Sequence, residues 1–104
     1  MVTNRARVFR AIADPRRRQI LGLLRRRRRT VGEIAAHFRC SRPAISRHLR
    51  VLRAAGLVAA ERRGAARVCR LKPEPLRVVR DWLGDYEAFW SESLAQLKSH
   101  LENP

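Results

Sequence analysis

The chain is 104 residues long and 45% hydrophobic, and it sets 24 Lys and Arg against 9 Asp and Glu for a net charge of +15. That is one domain of ordinary composition. No apolar run approaches the roughly 20 residues of a membrane span, and the arginine-rich N-terminus lacks the apolar stretch of an export signal, so no membrane partner and a cytoplasmic location are expected. Two cysteines, Cys40 and Cys69, are too few for a disulfide framework.

The charge is polarised along the chain. Residues 1–72 carry 21 basic and 3 acidic side chains, a net +18, whereas residues 73–104 carry 3 and 6, a net −3. Such a division points to a polyanion facing the first two-thirds and another task for the last third. Only Lys72 and Lys98 are lysine. Arginine suits bidentate contact with phosphate and guanine, but a GC-rich genome favours it equally, so residue type alone assigns no single position.

In chain order, Thr3 to Ala13 reads as a helix with Val8, Phe9 and Ile12 at helical spacing and Thr3 or Asn4 as cap. Asp14 followed by Pro15 restarts the chain as N-cap and first helical residue. The second helix runs to about Arg28 and buries Ile20, Leu21, Leu23 and Leu24. Gly22 inside it costs about 1 kcal/mol against alanine, which predicts close packing there. The run Arg25–Arg29 suits a helix C-terminus and reads first as a solvated end. Thr30 and Glu33 have capping-box spacing and open a third helix, Val31 to Phe38, burying Ile34, Ala35 and Phe38. After Arg39 and Cys40, Ser41 caps a fourth helix that has Pro43 in its first turn and ends at Gly56. Residues 31–55 therefore form a helix-turn-helix. Strands Leu57–Glu61 and Ala66–Leu71, joined by a short glycine-bearing loop, make a hairpin over residues 57–71. A break at Lys72–Pro75 precedes a last helix, about Leu76 to Leu101, roughly 39 Å long at 1.5 Å per residue. The fold class expected is mainly α with a small β-hairpin, a winged helix-turn-helix of about five helices and a two-stranded wing in one domain, 1–104.

The fourth helix carries the functional argument. Ile45, Leu49 and Leu52 fall on one face and anchor it. The other side displays Pro43, Ser46, Arg47, Arg50 and Ala54, flanked by Arg42 and Arg53, and no acidic residue lies between Glu33 and Glu61. Guanidinium and hydroxyl groups on a rigid helix fit the major groove of double-stranded DNA. His48, between the two faces, reads as a packed histidine. Arg62, Arg63 and Arg67 put a basic tip on the hairpin, able to follow the phosphate backbone. A solvated hairpin and a solvated helix face are the plainer alternatives.

Three stretches carry a family likeness: Phe9 to Leu21 (FRAIADPRRRQIL), Thr30 to Ala36 (TVGEIAA) and Ser41 to Val58 (SRPAISRHLRVLRAAGLV). Together they resemble the ArsR-type winged-helix repressors over almost the whole chain. The resemblance implies a homodimer paired through its first and last helices, here 1–13 and 76–102, that represses by occupying an inverted-repeat operator. By position it makes Ser41, Arg42, Ser46 and Arg47 reading residues and Arg62, Arg63 and Arg67 the wing. The candidate interface residues are Val8, Phe9, Leu83, Tyr86, Trp90, Leu94 and Leu97. The aromatic-rich stretch Trp82, Tyr86, Phe89 and Trp90, lying on more than one helix face, supports pairing independently.

Metal-sensing members of that family place ligands where this chain has Thr30 and Gly32, and the last helix offers Asp81, Asp85, His100 and Glu102 without a second histidine. The resemblance therefore leans to the branch that does not sense metals, with no metal or other cofactor expected and a small-molecule or protein inducer left open. Rival readings are a redox- or metal-responsive repressor of the same fold, using Cys40 and Cys69, and a non-specific architectural nucleic-acid binder. An enzyme is not expected: no phosphate-binding glycine loop, nucleophile–base pair or carboxylate pair lies in the basic region.

Overall fold

A computed structural model describes residues 3–102, apart from the side chain of Leu94. Thr3 opens α1 (Asn4–Ala13) by accepting the amide of Ala6 at 3.1 Å. Asp14 then caps α2 (Pro15–Arg26), its Oδ1 accepting the amides of Arg16 and Arg17 at 2.8 and 3.1 Å. The same turn spends two guanidiniums on the carbonyls that α1 leaves unpaired at its C-terminus. Arg17 donates to Ala11 O and Arg10 O, at 2.7 and 2.9 Å, and Arg18 to Ile12 O at 2.8 Å.

The second helix stops at Arg26, two residues before the expected end, because Arg29 and Thr30 form a short strand, β1 (Arg29–Thr30). Thr30 also opens α3 (Val31–Ala35) through a complete capping box: its Oγ1 accepts the Glu33 amide at 3.1 Å, and Glu33 accepts the Thr30 amide at 3.0 Å. The α-helix ends at Ala35, short of the expected Phe38, because the amides of His37 and Phe38 turn back to the carbonyls of Ile34 and Ala35, three residues away. A tighter turn has replaced the last helical turn.

Ser41 caps α4 (Arg42–Ala54), which closes in a Schellman arrangement. Gly56, at φ +77°, donates to Arg53 O at 2.9 Å, and Leu57 donates to Leu52 O at 3.0 Å. The hairpin is β2 (Val58–Arg63) and β3 (Ala66–Leu71), closed by the pair Arg63 and Ala66 across Gly64 and Ala65. A positive φ at Gly64 and none at Ala65 is the type II′ pattern that suits strand twist. The expected two-stranded wing is part of a three-stranded antiparallel sheet, ordered β1-β3-β2, in which Arg29 faces Cys69 and Thr30 faces Val68.

The C-terminal segment is not the single 39 Å rod that its periodicity suggests. A 3₁₀ turn (Glu74–Leu76) leads into α5 (Arg77–Gly84), and α6 (Glu87–Glu102) follows a break. Amides of Asp85, Tyr86 and Phe89 bond three residues back, to Trp82, Leu83 and Tyr86. Gly84 and Asp85 are weak helix formers, and the chain tightens and turns there.

One core holds α1–α4 to the sheet. Val8, Ile20, Ile34, Ile45, Leu52, Leu57 and Cys69 are fully buried in it. Burial of Ile45, Leu49 and Leu52 matches the anchoring face expected for the fourth helix. Gly22 departs from expectation, since a Cβ placed on it would meet nothing within 4 Å.

The two glycines give opposite predictions. Gly56→Ala puts a side chain into the left-handed region, 3.5 Å from Pro75 Cγ, and is expected to cost about 1–2 kcal/mol in urea unfolding. Gly22→Ala is expected to stabilise the fold by about 0.5–1 kcal/mol. A second prediction concerns acid. Burial would raise the Asp14 carboxyl, but the amides of Arg17 and Arg16 and the charges of His48 and Arg17 outweigh it and hold it below the ordinary 3.8. The Thr30 amide, then the Arg27 guanidinium, hold Glu33 below 4.5. Both groups bind fewer protons folded than unfolded near those values, so their stabilisation is complete above them and lost as pH falls through the lowered folded values. Stability should fall below about pH 4.5, and Asp14→Asn, which keeps a capping oxygen, should flatten that limb.

Candidate nucleic-acid interface

The face of α4 that reaches solvent is set by the face that cannot. With Ile45, Leu49 and Leu52 buried, Pro43, Ser46, Arg47 and Arg50 stand exposed on the opposite side, and Ser41 and Arg42 are exposed at the helix N-terminus. Residues 43, 46, 47, 50 and 54 follow helical spacing of three and four, so they share one surface along the roughly 20 Å of helix. Ser41 Oγ accepts the Ala44 amide at 3.2 Å, so this serine does cap the helix. Arg42 lies over α3, where a Cβ on Gly32 would stand 3.7 Å from its guanidinium. His48 is half-buried with Nδ1 3.4 Å from Arg17 Nη1, the packed position expected of it.

The wing stands beside this helix. Arg62, Arg63 and Arg67 are exposed, and Arg62 is directly opposite Arg67 in the hairpin register. Like charges in that arrangement repel. Arg63 Nε comes within 3.7 Å of Glu61, an exposed pair of little energetic weight. Between α4 and the wing lies a narrow cleft of about 80 Å³, where Ser46 and Arg50 meet Arg53 and Arg67 above Cys69. Residue pattern alone left Arg53 on the flank of the reading surface. Its position seven residues after Ser46 was the available signal, and only the sheet's packing shows that Arg67 joins it. Cys69 is fully buried, and burial pushes its thiol up, with Arg53 and Arg67 pulling the other way. Cys40, in the turn before α4, is half-buried and free.

The arginine run divides by role. Arg27 pairs with Glu33 at 3.2 Å and Arg29 donates to Leu23 O at 3.2 Å, both closing the α2–α3 corner, while Arg25, Arg26 and Arg28 are exposed. Among the described residues no three His, Cys, Asp or Glu side chains gather as a metal site would require. None of the helices there is long and apolar enough to cross a membrane.

Of the candidate pairing residues, Val8 is corrected. Its side chain is fully buried in the protomer's own core and offers a partner no surface. Phe9 is half-buried, edge-on to Trp82 at 5.7 Å between ring centroids, and Trp82 meets Tyr86 at 5.3 Å. Leu83, Tyr86, Trp90 and Leu97 are exposed, as are Phe89, at 82%, and Leu101, at 72%. The expected contact by Leu94 lies outside the described residues, since its side chain is not among them.

The family model for bacterial regulatory proteins of the arsR family matches residues 14–60, from the α2 cap through the first half of β2. The HTH-type transcriptional regulator Rv2034 of Mycobacterium tuberculosis is 40% identical over 88 residues, covering 85% of this chain and 79% of that protein. The chain belongs to the ArsR family. The transcriptional repressor SdpR of Bacillus subtilis is 49% identical over 57 residues, 55% of this chain, and the match spans only 63% of SdpR's own length. In solution, the homodimeric winged helix-turn-helix DNA-binding domain Mb0332 of Mycobacterium bovis superposes with a TM-score of 0.66 at 31% identity, covering 85% of this chain and 83% of that one. This ArsR-family chain is thus a DNA-binding transcriptional regulator with a winged helix-turn-helix, from a family of regulators and not of enzymes.

Proposed function

We propose that this regulator is a homodimeric repressor of an inverted-repeat operator in double-stranded DNA. The observation that carries this reading is the segregation of its surfaces. All exposed groups on the outer face of α4 are cationic, hydroxyl or small, while the exposed large apolar groups gather on α5 and α6. In this reading α4 enters the major groove. Arg47 and Arg50 contact base edges, and Ser41, Arg42, Pro43 and Ser46 lie at the groove wall. Arg62, Arg63 and Arg67 follow the backbone, and a phosphate oxygen relieves the repulsion between Arg62 and Arg67. Arg53 joins Arg67 at the same phosphate track. Pairing uses Phe9, Leu83, Tyr86, Trp90, Leu94 and Leu97. The regulator needs no metal in this scheme, and an inducer would be a small molecule or a protein.

Fluorescence anisotropy against the DNA upstream of the protein's own gene and a scrambled duplex of equal length tests the reading. The operator should bind as two protomers per site with at least a hundredfold preference, of the order specific regulators show. Arg50→Ala should cost about 1–3 kcal/mol on that DNA and relax discrimination at one base pair. Arg63→Ala should weaken both duplexes alike and lower the salt slope by about one. Equal binding of both duplexes by the parent protein would count against sequence-specific repression at that site.

Pairing has its own measurement. Trp90→Glu and Leu97→Glu should sediment as monomers with the helix content of the parent, since neither side chain belongs to the protomer core. Operator affinity should then drop by about 10²–10⁴ as the two half-sites lose their linkage. A Leu97→Glu protein that remains a dimer would remove α6 from the interface.

A further inference from the structure

Gly22 is the residue that the fold leaves without a role. It stands in the interior of α2, where glycine weakens a helix, and no neighbour comes near enough to require it. The space above it is an open groove of about 460 Å³ between the C-terminal half of α2 and the turn that follows α3, large enough in volume for a small molecule. Gly22 and the half-buried side chains of Leu23 and Phe38 form an apolar wall. Gln19, Arg25, Arg26 and His37 line the rest. The alternation inside the arginine run matters here: Arg27 and Arg29 are spent on Glu33 and the Leu23 carbonyl. Among the described residues, Arg25 and Arg26 have neither an ion pair nor a side-chain hydrogen bond.

We propose that this groove binds a small organic anion, a carboxylate or phosphate carried on a flat apolar body. Two unpaired guanidiniums lining one groove suit an anionic head, which each can engage by charge-assisted hydrogen bonds. Phe38 and Leu23 cover the body of the ligand, and the missing side chain at Gly22 lets that body lie against the α2 backbone. A bare anion would leave the apolar wall unused, and a neutral aromatic would leave the guanidiniums without a partner. His37 and Phe38 belong to the turn between α3 and α4, so occupancy braces the helix-turn-helix at that turn. That regulatory consequence rests on the proposed reading of α4, whereas binding itself does not.

Calorimetric titration with ¹⁵N amide shifts, carried out without DNA, tests the site on the full chain. Benzoate and phenyl phosphate are the probes; acetate, inorganic phosphate and benzyl alcohol are the comparators. One benzoate or phenyl phosphate per protomer is expected, at least tenfold tighter than any comparator, with the largest shifts at residues 19–26 and 36–39. The tighter of the two probes names the head group. Gly22→Leu, a helix-favouring change, should fill the groove and weaken binding more than tenfold while the protein still unfolds cooperatively. The paired change Arg25→Gln and Arg26→Gln leaves the backbone untouched and should weaken it as much, and Arg77→Gln, on α5, should change nothing. Comparators that bind as tightly as the probes, shifts scattered over the arginine-rich surface, or a Gly22→Leu protein that binds like the parent would each overturn the proposal. Because no DNA is present, a failure of operator recognition leaves this result standing, and the reverse also holds.

Discussion

A helix offered to DNA has to be fixed in roll as well as in position, and in this protein one stripe of three side chains does both. Ile45 and Leu52 are fully buried and Leu49 nearly so, packed with Val8, Ile20, Ile34 and Leu57. A helix advances 100° per residue, so turning α4 by a single residue would drive Arg47 or Arg50 toward the core and bring an anchor into water. Truncating any of the three leaves a cavity, at a cost of about 2–5 kcal/mol, a large share of a small domain's stability. The ends are held as firmly as the middle. Ser41 fixes where α4 begins, and the Schellman closure at Gly56 fixes where the chain leaves it for the wing. Helix and hairpin therefore keep one spatial relation, and the cleft holding Arg50, Arg53 and Arg67 follows from it.

The second constraint is charge. A segment of 72 residues with a net +18 repels itself, and the fold offsets part of that by putting guanidiniums where partial negative charge already exists. Arg17 and Arg18 sit on the carbonyl end of α1, and Arg29 sits on a carbonyl of α2. The two acidic side chains of the first fifty residues, Asp14 and Glu33, serve as helix caps, where amide dipoles favour them. What remains exposed and unneutralised includes arginines of α4, the wing and the end of α2, and also Arg5, Arg7 and Arg10 on α1. The basic surface is thus what is left after the fold has used its arginines, which is why composition alone could not identify the DNA-facing ones.

Those uses explain what the sequence made legible. The helix-turn-helix could be read because its signals are local: a capping box, a capping serine, a proline in the first turn and apolar residues spaced by three and four. The features that escaped are the ones made by distant partners. β1 is two residues of an arginine run and becomes a strand only because β3 pairs with it. Val8 follows the same spacing as Phe9 and Ile12, and nothing local says that it faces inward. The break near Gly84 and Asp85 was masked by Leu83, Tyr86 and Trp90, whose spacing continues an apolar stripe straight through it. A single glycine in a helical pattern is ordinarily tolerated; here the bonds three residues back show that it was not. Arg53 and Arg67, 14 positions apart, meet only once the hairpin folds onto α4.

The break also bears on how two copies would meet. A chain of this length packed as a sphere has a radius of gyration near 13 Å, whereas this one measures 17.5 Å and extends 57 Å along its longest axis. The excess lies in α6, which touches little besides α5 and is exposed along its described length. An isolated 16-residue helix is marginal in water, and one carrying Phe89, Trp90, Leu97 and Leu101 in the open exposes more apolar surface than a soluble monomer ordinarily keeps. Under the dimeric reading, its order comes from contact with a second copy. The negative balance of residues 73–104 lets a second copy supply that contact where the positive surface of residues 1–72 would resist it. Under the dimeric reading, the turn at residues 84–86 becomes the joint that sets the angle between the paired helices and the DNA-facing half. The separation of two α4 helices, and with it the spacing of the half-sites, would then depend on residues that touch no DNA at all.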